Sequence, residues 1–597
     1  MAENTATDKL YMQQWLLINK KADFKAIGEK FEIDQVTARI IRNRDVIEEV
    51  DIYRYLKGGI KDLYDPHLLK DGDRLVELLL EKVREKKAIR IIGDYDIDGV
   101  MATYILMTAL NRCGANVTMQ IPDRIHDGYG LNRKLITKAY EDGVDTILTC
   151  DNGIAAIEEI AYAKELGMTV LVTDHHEIPF VDVDGMRVYK RSLADAIVNP
   201  HQKECEYPYK QLCGAAVAWK VVCLLYEAFE IDFSEAELLL ENVAFATVGD
   251  IMPLTDENRI LVKEGLKRIR KTQNLGMKAL ISQCGITMEE IDAFHFGFVL
   301  GPCINASGRL DTAKRALELF FQDNAVHAMQ IANELVVLNE ERKELTREGV
   351  EEAIRFYEEN ECEKDEVLVI YLPEVHESIA GIIAGRIKDK YYKPTFVLTK
   401  GEEGVKGSGR STEEYSMYEE MCKCQDLFIK FGGHTMAAGL SLLEENIEVF
   451  RKRINELSGL TEQDKKKKVR IDVPMPMDYV SLDLVREFTL LAPFGRDNTK
   501  PVFADKHIRV KRMSILGKNR NVLKLSLITA HGKLVSGIYF GDLDKFLSYI
   551  RDKFGNEQMD AAFAGRENTI ELSLVYFPKI NNFRGDEELQ FEIQYYQ

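Results

Sequence analysis

Short apolar runs alternate with segments of helical periodicity along the first third of the chain. The runs AIRIIGDYD, NVTMQIP, VDTILTCDNG and MTVLVTDHH predict β-strands, whereas VMATYILMTALNRCG, LITKAYEDG and AAIEEIAYAKELG place apolar residues at helical spacing. Strict alternation of helices with almost wholly apolar strands is typical of a parallel sheet covered on both faces. We therefore predict a doubly wound α/β domain over residues 86–322.

The hydrophobic pattern divides the rest of the chain into further regions. Residues 1–85 predict a region of short helices with acidic and basic faces. Residues 323–360 contain no Pro and a single Gly, Gly349, and predict a long connecting helix, although an ordinary surface helix explains the pattern equally well. A second, smaller α/β unit is predicted over 361–462, and the charged run QDKKKKVR at 463–470 predicts a solvated linker. Short strand-like runs over 466–597 indicate a small β-barrel.

Length and composition are those of an ordinary globular protein. At about 150 residues per domain, 597 residues correspond to roughly three to four domains. No stretch approaches the ~20 uninterrupted apolar residues of a membrane span, and MAENTATDKLYMQQW lacks the basic-then-apolar order of a signal peptide. The ten cysteines include no C-x-x-C pair, which argues against structural zinc and a disulfide framework. We therefore expect a cytoplasmic protein with reduced thiols and no membrane association.

The net charge of −19 conceals a basic C-terminal region. Residues 466–597 contain 21 Lys and Arg against 17 Asp and Glu, and residues 506–541 contain eight basic residues and no acidic one. A basic module on an acidic body can bind a polyanion locally. The nearby aromatic residues that could stack on bases are Phe503, Tyr539, Phe540 and Phe546. For each of them, a place in the barrel core is the favoured alternative.

Three carboxylates at alternate positions, Asp94, Asp96 and Asp98, lie where a predicted strand ends and a helix begins. Like charges at this spacing repel one another unless a cation lies among them. The D-x-D-x-D-G pattern also opens an EF-hand loop, but the twelfth position is Ile105 rather than Glu, and the loop follows a strand rather than a helix. A solvated acidic turn remains the alternative for this motif taken alone.

The neighbouring strand ends carry further potential metal ligands. Asp151 ends one predicted strand, and Asp174, His175 and His176 end the next, while Asp250 follows an apolar helical run. In a doubly wound sheet these side chains converge on one edge. Hard oxygen donors with one or two imidazoles and no thiolate suit Mn²⁺ or Mg²⁺ better than structural zinc. Two such ions bridged by a carboxylate are typical of enzymes that hydrolyse phosphate esters.

The motifs DYDIDG, CDNG, TDHH and GDIMP, in this order, resemble those of the DHH phosphoesterase superfamily. The stretches IPDRIHDGYGL, GPCINASGRL, VHESIAGIIAGRI, GSGRS and FGGHTMAAG resemble, within it, the RecJ family, and the resemblance extends from about residue 35 to the end. It implies a metal-dependent exonuclease that degrades single-stranded DNA 5′→3′ to mononucleotides in recombination and repair. Residue spacing alone does not indicate the polarity.

The resemblance also implies a role for each potential metal ligand. Two divalent ions, with Mn²⁺ preferred and Mg²⁺ as the alternative, would be held by Asp94, Asp96 and Asp151 and by Asp98, Asp151, His175 and Asp250, with Asp151 bridging. His176 and Asp174 would be the catalytic pair, and His176 would donate a proton to the leaving 3′ oxygen or stabilise the transition state. Alternatively, His176 only orients His175 or Asp174.

By the same resemblance, the predicted domains are an N-terminal helical region (1–85), a DHH catalytic domain (86–322), a connecting helix (323–360), a DHH-associated domain (361–462) and an OB-fold nucleic-acid-binding domain (466–597). The substrate-binding residues would be Arg124, Asn305, Arg309, Ser408, Arg410, Gly432, Gly433 and His434. An arginine can hold two phosphate oxygens, and glycines let backbone N–H groups approach phosphate closely. A narrow groove between the two α/β domains would admit one strand and exclude a duplex.

Two positions depart from the pattern of the family. Cys303 lies where the family usually has Arg, and His376-Glu377-Ser378 replaces His-Pro-Gly. The alternative function is a short-oligonucleotide or cyclic-dinucleotide phosphodiesterase of the same superfamily, against which the additional basic β-module argues. A non-enzymatic replication scaffold is disfavoured because every potential metal ligand is present. We expect a monomer that binds single-stranded DNA and cooperates with a helicase and a single-strand-binding protein.

Overall fold

The computed structural model describes residues 13–124, 128, 130–183, 186–401, 404–583 and 585–597. Residues 1–12 of the predicted N-terminal region and four residues of the IPDRIHDGYGL motif lie outside the described residues. The chain forms two compact units. The first contains Tyr64–Met252 and Leu261–Lys467, and the second contains Gln14–Leu63, Pro253–Ile260 and Lys468–Gln597. None of the described helices has both the length and the apolar character needed to cross a membrane.

Helices and strands alternate along most of the described chain. The strands are β1 (Gln14–Leu17), β2 (Ala88–Ile92), β3 (Asn116–Gln120), β4 (Thr146–Cys150), β5 (Thr169–Thr173), β6 (Phe180–Val183), β7 (Met186–Tyr189), β8 (Ala196–Val198), β9 (Leu368–Tyr371), β10 (Thr395–Lys400), β11 (Val405–Arg410), β12 (Phe428–Gly433), β13 (Ala437–Leu442), β14 (Lys468–Ile471), β15 (Phe503–Leu516), β16 (Val522–Ile528), β17 (Leu534–Tyr539), β18 (Glu571–Phe583) and β19 (Asp586–Tyr596). The helices are α1 (Phe24–Phe31), α2 (Gln35–Asn43), α3 (Glu49–Lys57), α4 (Gly72–Arg84), α5 (Ile97–Arg112), α6 (Arg133–Glu141), α7 (Ile157–Glu165), α8 (Gly214–Ala228), α9 (Phe233–Leu238), α10 (Leu240–Gly249), α11 (Asp256–Ile269), α12 (Leu275–Gln283), α13 (Ala293–His295), α14 (Gly301–Leu310), α15 (Ala313–Phe320), α16 (Ala325–Glu359), α17 (Ala380–Tyr391), α18 (Met417–Cys422), α19 (Ile447–Glu456), α20 (Leu482–Glu487), α21 (Leu543–Phe554) and α22 (Asn556–Ala564).

The first unit contains a parallel sheet with the strand order β3-β2-β4-β5-β8. All five residues of β4 are buried, as expected for a strand covered on both faces. Helices α6 and α7 cover one face, where Ile136 and Ile160 pack with Ile147 and Val170. Helices α5 and α8 pack together on the other face. The predicted doubly wound architecture is confirmed.

A second sheet, β12-β13-β11-β10-β9, lies in the same unit and is antiparallel except for the parallel β9–β10 pair. Phe396 packs on Phe450 of α19 on one face, and Val397 packs with Ile383 of α17 on the other. The 35-residue helix α16 contacts α12 and α14 as well as α17, so it links the elements of the two sheets. Its N-terminus is capped by the side chain of Asn324.

The second unit contains a closed five-stranded barrel with the order β15-β16-β17-β19-β18. This confirms the predicted OB-like barrel. Helices α21 and α22, which the sequence interpretation did not include, lie between β17 and β18. Apolar residues of α2 and α3, such as Ile41 and Tyr55, belong to the same hydrophobic core as the barrel residues Phe503 and Leu525.

The N-terminal residues are arranged differently from the predicted single helical region of 1–85. Strand β1 pairs in parallel with β14, so residues 14–63 belong to the unit of the barrel, whereas α4 packs on α8 in the first unit. Strand β14 also begins inside the run predicted as a linker. A local hydrophobic pattern could not indicate these positions, because β1 and β14 are joined by hydrogen bonds across some 450 residues of sequence.

Candidate metal centre and anion-binding cavity

The carboxyl ends of three neighbouring parallel strands supply most of the potential metal ligands. Asp94 lies two residues beyond β2, Asp151 directly follows β4, and Asp174 directly follows β5. Because parallel strands end at the same edge of a sheet, three separate sequence motifs meet there. The structure therefore places these acids at the edge that the sequence indicated.

The loop between β2 and α5 is fixed by hydrogen bonds to its own backbone. The side chain of Asp96 caps α5 by accepting the N–H groups of Asp98 and Gly99. The Oδ1 atom of Asn305, from α14, accepts the N–H of Ile97 at 2.8 Å. A Cβ atom on Gly99 would lie 2.5 Å from the carbonyl oxygen of Asp94, so only glycine fits. Asn305, predicted to bind substrate, is thus engaged in holding the loop that contains Asp94, Asp96 and Asp98.

The N-terminus of α8 approaches the same loop. The carboxylate of Asp98 accepts the N–H groups of Gly214 and Ala215 at 2.6 and 2.7 Å. A Cβ atom on Gly214 would lie 2.6 Å from Cβ of Asp151, which adopts a positive φ of 61°. The positive end of the helix dipole therefore lies beside a buried acidic cluster, which partly offsets its negative charge.

The potential ligand atoms converge into three groups, each with its atoms within 4.8 Å of one another: Asp94, Asp96 and Asp151; Asp98, His175 and Asp250; and Asp151, His175 and His176. Nε2 of His175 lies 3.1 Å from an oxygen of Asp151, 3.6 Å from Asp98 and 3.9 Å from Asp250. The structure thus brings all six predicted metal ligands together.

Crowding and burial raise the pKa of several of these carboxyl groups. Burial and the charge of Asp96 raise the pKa of Asp94 to about 8, and burial and the charge of Asp98 raise the pKa of Asp151 well above its usual value. Hydrogen bonds from the backbone N–H groups of Tyr95 and Gly130 lower the pKa of Asp94 but only partly offset this rise. Buried carboxylates in this state are stabilised by a cation. The donor set of carboxylate oxygens and imidazole without thiolate fits Mn²⁺ or Mg²⁺.

His176 is held by a buried carboxylate. Nδ1 of His176 donates to Oδ1 of Asp174 at 2.8 Å, and the other oxygen of Asp174 accepts the N–H of Ile154. Burial lowers the pKa of His176, but the hydrogen bond and charge of Asp174 outweigh it and raise that pKa to about 9. Asp174 is itself only 1% exposed. Its geometry is that of a residue that positions His176, rather than of one that contacts substrate.

A cavity of about 450 Å³ lies beside the second sheet. Its described lining includes Arg124 in the segment after β3, Ser378 before α17, and Lys406 and Ser408 on β11. Residues 406, 408 and 410 lie on one face of β11, because side chains alternate along a strand. Gly381, in the first turn of α17, brings that turn close to β11: a Cβ atom there would lie 2.8 Å from Oγ of Ser408. A helix N-terminus next to cationic and hydroxyl groups is suited to an anion.

Several arginines crowd together near this cavity. Nη1 of Arg309 donates to the carbonyl oxygen of Ser378 at 2.6 Å, which links α14 to the segment directly before α17. Burial and the nearby charges of Arg124, Arg342 and Arg410 lower the pKa of Arg309 to about 10. A guanidinium group whose pKa is lowered by neighbouring positive charges favours an anion among them.

Of the three consecutive residues 432–434 that were predicted to bind substrate, one is among the described residues that line the cavity. Gly432 lines it, whereas Gly433 and His434 are not among its described lining residues. Gly433 has a φ of 151°, and a Cβ atom there would lie 2.5 Å from the carbonyl oxygen of Ala437, so this glycine shapes the β12–β13 hairpin. His434 is exposed, and its N–H donates to the carbonyl oxygen of Ala437.

Sequence reasoning missed residues that complete these sites. Gly214 lies in an apolar helical run, and only its contact with Asp151 reveals its role. Nδ2 of Asn152 donates to the carbonyl oxygens of Ile92 and Cys150 and so joins the ends of β2 and β4; its place in the CDNG motif was a usable signal. Glu377 also lines the cavity and forms a 2.8 Å ion pair with Lys406.

In the second unit, the aromatic residues named from the sequence have different positions. Phe503, Tyr539 and Phe546 are buried in the barrel core, whereas Phe540 is 57% exposed. All eight basic residues between 506 and 541 are exposed: Lys506, Arg509, Lys511, Arg512, Lys518, Arg520, Lys524 and Lys533. The barrel therefore presents a positively charged surface with one exposed aromatic ring from the named set.

Three family models match consecutive parts of the chain. The model described as the DHH family, N-terminal domain matches residues 88–246, the DHHA1 domain matches residues 364–459, and the RecJ OB domain matches residues 471–595. The matches include the first sheet, the second sheet and the barrel, respectively. They include Asp94, Asp96, Asp98, Asp151 and His175 but not Asp250, and they include the described residues that line the cavity beside β11.

Curated relatives and a solved structure resemble the chain over most of its length. The single-stranded-DNA-specific exonuclease RecJ of Escherichia coli is 31% identical, with 98% of this chain and 99% of that protein covered. The protein of the same name from Bacillus subtilis is 33% identical, and the match covers 84% of this chain but only 62% of that protein. The crystal structure of RecJ in complex with Mn²⁺ from Thermus thermophilus has a TM-score of 0.80 at 25% identity, with 98% of this chain and 79% of that chain covered. The chain belongs to the RecJ family of the DHH proteins.

Proposed function

We propose that this protein is a single-stranded-DNA-specific exonuclease that degrades DNA 5′→3′ to mononucleotides by two-metal hydrolysis. The observation that carries the proposal is the pair of neighbouring donor groups, Asp94–Asp96–Asp151 and Asp98–His175–Asp250, at one edge of a parallel sheet. Relatives of similar length are named single-stranded-DNA-specific exonucleases. This supports a polymer substrate for the same arrangement.

One divalent ion would be held by Asp94, Asp96 and Asp151, and a second by Asp98, Asp151, His175 and Asp250. When bound, such ions activate the attacking water and stabilise charge on the phosphoryl oxygens. Mn²⁺ is the preferred ion of the proposal, in keeping with the Mn²⁺ complex of the Thermus thermophilus protein, and Mg²⁺ is the alternative. The short contacts between these carboxylates and His175 support close spacing of the two positions.

His176 would hold a proton for the leaving 3′ oxygen. Because Nδ1 donates to Asp174, Nε2 would be the ring nitrogen that transfers the proton to the substrate. The backbone N–H groups of both His175 and His176 also donate to Asp174, so one buried carboxylate orients the whole segment. Asp174 acts here by positioning His176.

The cavity beside β11 would bind the 5′-terminal phosphate and the phosphates next to it. Arg124, Arg309, Ser408 and Arg410 would supply the contacts, and the N-terminal turn of α17 would add its partial positive charge. Gly432 would line the wall of this cavity, with Gly433 and His434 shaping its rim, and Asn305 would hold the metal loop. Recognition of a terminal phosphate in this way favours digestion from the 5′ end.

The barrel would hold the continuing strand through its exposed basic residues and Phe540. We further propose that the protein acts as a monomer in the cytoplasm, where its ten free cysteines remain reduced under ordinary conditions. It would act in DNA recombination and repair, where a helicase and a single-strand-binding protein would supply and stabilise its substrate.

The test uses a single-stranded DNA of mixed sequence, labelled at the 5′ end in one reaction and at the 3′ end in another, with Mn²⁺. We expect immediate release of a labelled mononucleotide from the 5′ end, little cutting of a blunt duplex, and loss of activity in Asp151→Ala. Asp426→Asn, which changes an exposed carboxylate paired with Arg453, is the matched control and should retain activity. Survival of long strands with loss of di- to pentanucleotides would establish the short-oligonucleotide phosphodiesterase instead.

A further inference from the structure

Two thiols lie in contact outside the groups of potential metal ligands. Cys284 directly follows α12, and Cys303 lies in the first turn of α14. Their sulfur atoms are 3.9 Å apart, although the residues are separated by 19 positions in the sequence. The two side chains are therefore already neighbours in the reduced protein. The formation of a disulfide from this pair requires that the sulfurs approach to about 2.05 Å.

The two cysteines differ in accessibility. Cys284 is partly exposed, whereas Cys303 is only 1% exposed. Cys303 is held in place because its sulfur accepts from Nδ2 of Asn339 at 3.5 Å and lies 3.3 Å from the carbonyl oxygen of Val299. A hydrogen bond from Cys303 lowers the pKa of the Cys284 thiol, which increases its thiolate fraction. An accessible sulfur beside a fixed, buried one is the arrangement of an attacking and a resolving cysteine.

We propose that Cys284 and Cys303 are a hydroperoxide-sensitive dithiol that forms a reversible disulfide between α12 and α14. The Cys284 thiolate attacks the peroxide oxygen, the O–O bond breaks, and the products are a sulfenic acid and, after protonation, water. The Cys303 thiol then attacks the Cys284 sulfur; the S–S bond forms, the S–O bond breaks, and the hydroxyl group leaves as water with the Cys303 proton. A dithiol reductant returns two electrons and two protons and restores both thiols.

The disulfide is placed to affect the site through α14. This helix also carries Asn305, which holds the metal-binding loop, and Arg309, which is tied to Ser378. Closing the gap between the sulfurs by almost 2 Å takes a rotation of the two side chains, a shift of α14 or a shift of the turn after α12. A displacement of about 1 Å in a positioning element can reduce a rate by about a hundredfold. This consequence rests on the proposed exonuclease function, whereas the disulfide itself does not.

The chemical test treats the reduced full-length protein with hydrogen peroxide, blocks the remaining thiols and determines the intact mass and the linked peptides. We expect two fewer blocked thiols than in the reduced protein and a Cys284–Cys303 peptide that lacks two hydrogen atoms, both reversed by dithiothreitol. In Cys303→Ser, Cys284 should instead be trapped as a sulfenic acid by dimedone. Cys422→Ser, which removes another partly exposed thiol, should form the disulfide normally. Oxidation of wild-type Cys284 without the cross-link, or a link to another cysteine, would overturn the proposal.

The second readout is the initial rate on single-stranded DNA before and after oxidation. We expect the wild-type rate to fall at least tenfold and to recover with dithiothreitol, and the rate of Cys284→Ser to be insensitive to the same treatment. Melting temperatures of the reduced variants show whether they fold. Complete cross-linking with an unchanged rate would overturn control of the site by the disulfide. A cross-link in a protein that degrades no DNA would support the dithiol and contradict the proposed function.

Discussion

The carboxylate of Asp174 is buried and accepts the Nδ1–H of His176 at 2.8 Å. The same oxygen accepts the backbone N–H groups of His175 and His176. One side chain therefore fixes both the loop after β5 and the tautomer of an imidazole that is itself partly exposed. The pairing separates two roles, because the partly exposed His176 can contact substrate whereas the buried Asp174 holds His176 and the loop.

Asp174→Asn tests this separation. An amide can offer an N–H where the carboxylate offers only oxygen, so the imidazole loses its fixed tautomer while the loop keeps a side chain of the same size. We expect the rate of single-turnover hydrolysis to fall about 10- to 100-fold, with little change in the Kd for single-stranded DNA measured without metal. Asp195→Asn is the control, because Asp195 also accepts a backbone N–H at β5, from Val170. An equal loss of rate in both variants would indicate general destabilisation.

Gly214→Ala tests whether the close approach of α8 shapes the metal centre. The added methyl group would lie 2.6 Å from Cβ of Asp151, so Asp151 or the helix must move. We expect the Kd for Mn²⁺, measured by isothermal titration calorimetry, to rise at least about tenfold while circular dichroism stays unchanged. In the control Gly385→Ala, the nearest atom, Cγ of Arg410, lies 4.0 Å from the new methyl group. Equal Mn²⁺ affinity in the two variants would contradict the proposed role.

These two predictions also show what could be predicted from the sequence. The sequence predicted that three acids, Asp94, Asp151 and Asp174, lie at one edge of the sheet. Alternation of strand and helix predicts parallel strands, and the carboxyl ends of parallel strands coincide. The role of Gly214 could not be predicted, because a glycine in an apolar helix gives no local sign of the side chain that will approach it. The β1–β14 pair was missed for a similar reason, since register between distant strands depends on tertiary packing.

Glu377→Gln tests the charge balance of the anion-binding cavity. Glu377 forms an ion pair with Lys406 inside the lining, so an incoming phosphate must compete with a carboxylate for that lysine. Because the pair is partly exposed, its removal should lower the Kd for a 5′-mononucleotide product by only about two- to fivefold. We expect KM and kcat to fall together, since the product would leave more slowly. The opposite shift is expected for Lys406→Met, and Asp426→Asn should leave product affinity unchanged. Weaker product binding in Glu377→Gln would rule out this competition.

The basic surface of the barrel is best tested by substitution, because deletion of the barrel would also expose the core that residues 14–63 share with it. Arg512 and Lys524 are exposed on adjoining strands, where their register partners are Ser526 and Ser514.

Removing both as Arg512→Ala/Lys524→Ala should weaken the binding of long single-stranded DNA. Each lost phosphate contact should reduce the salt dependence, the slope of log K against log salt, by about 0.7. Hydrolysis of very short oligonucleotides should be unchanged, because the substituted residues lie outside the unit that contains the potential metal ligands. Arg551→Ala/Lys553→Ala removes the same charge from exposed positions of α21 and should leave the slope intact. Equal slopes for the wild type and Arg512→Ala/Lys524→Ala, measured by fluorescence anisotropy across a salt series, would show that single-stranded DNA binds elsewhere.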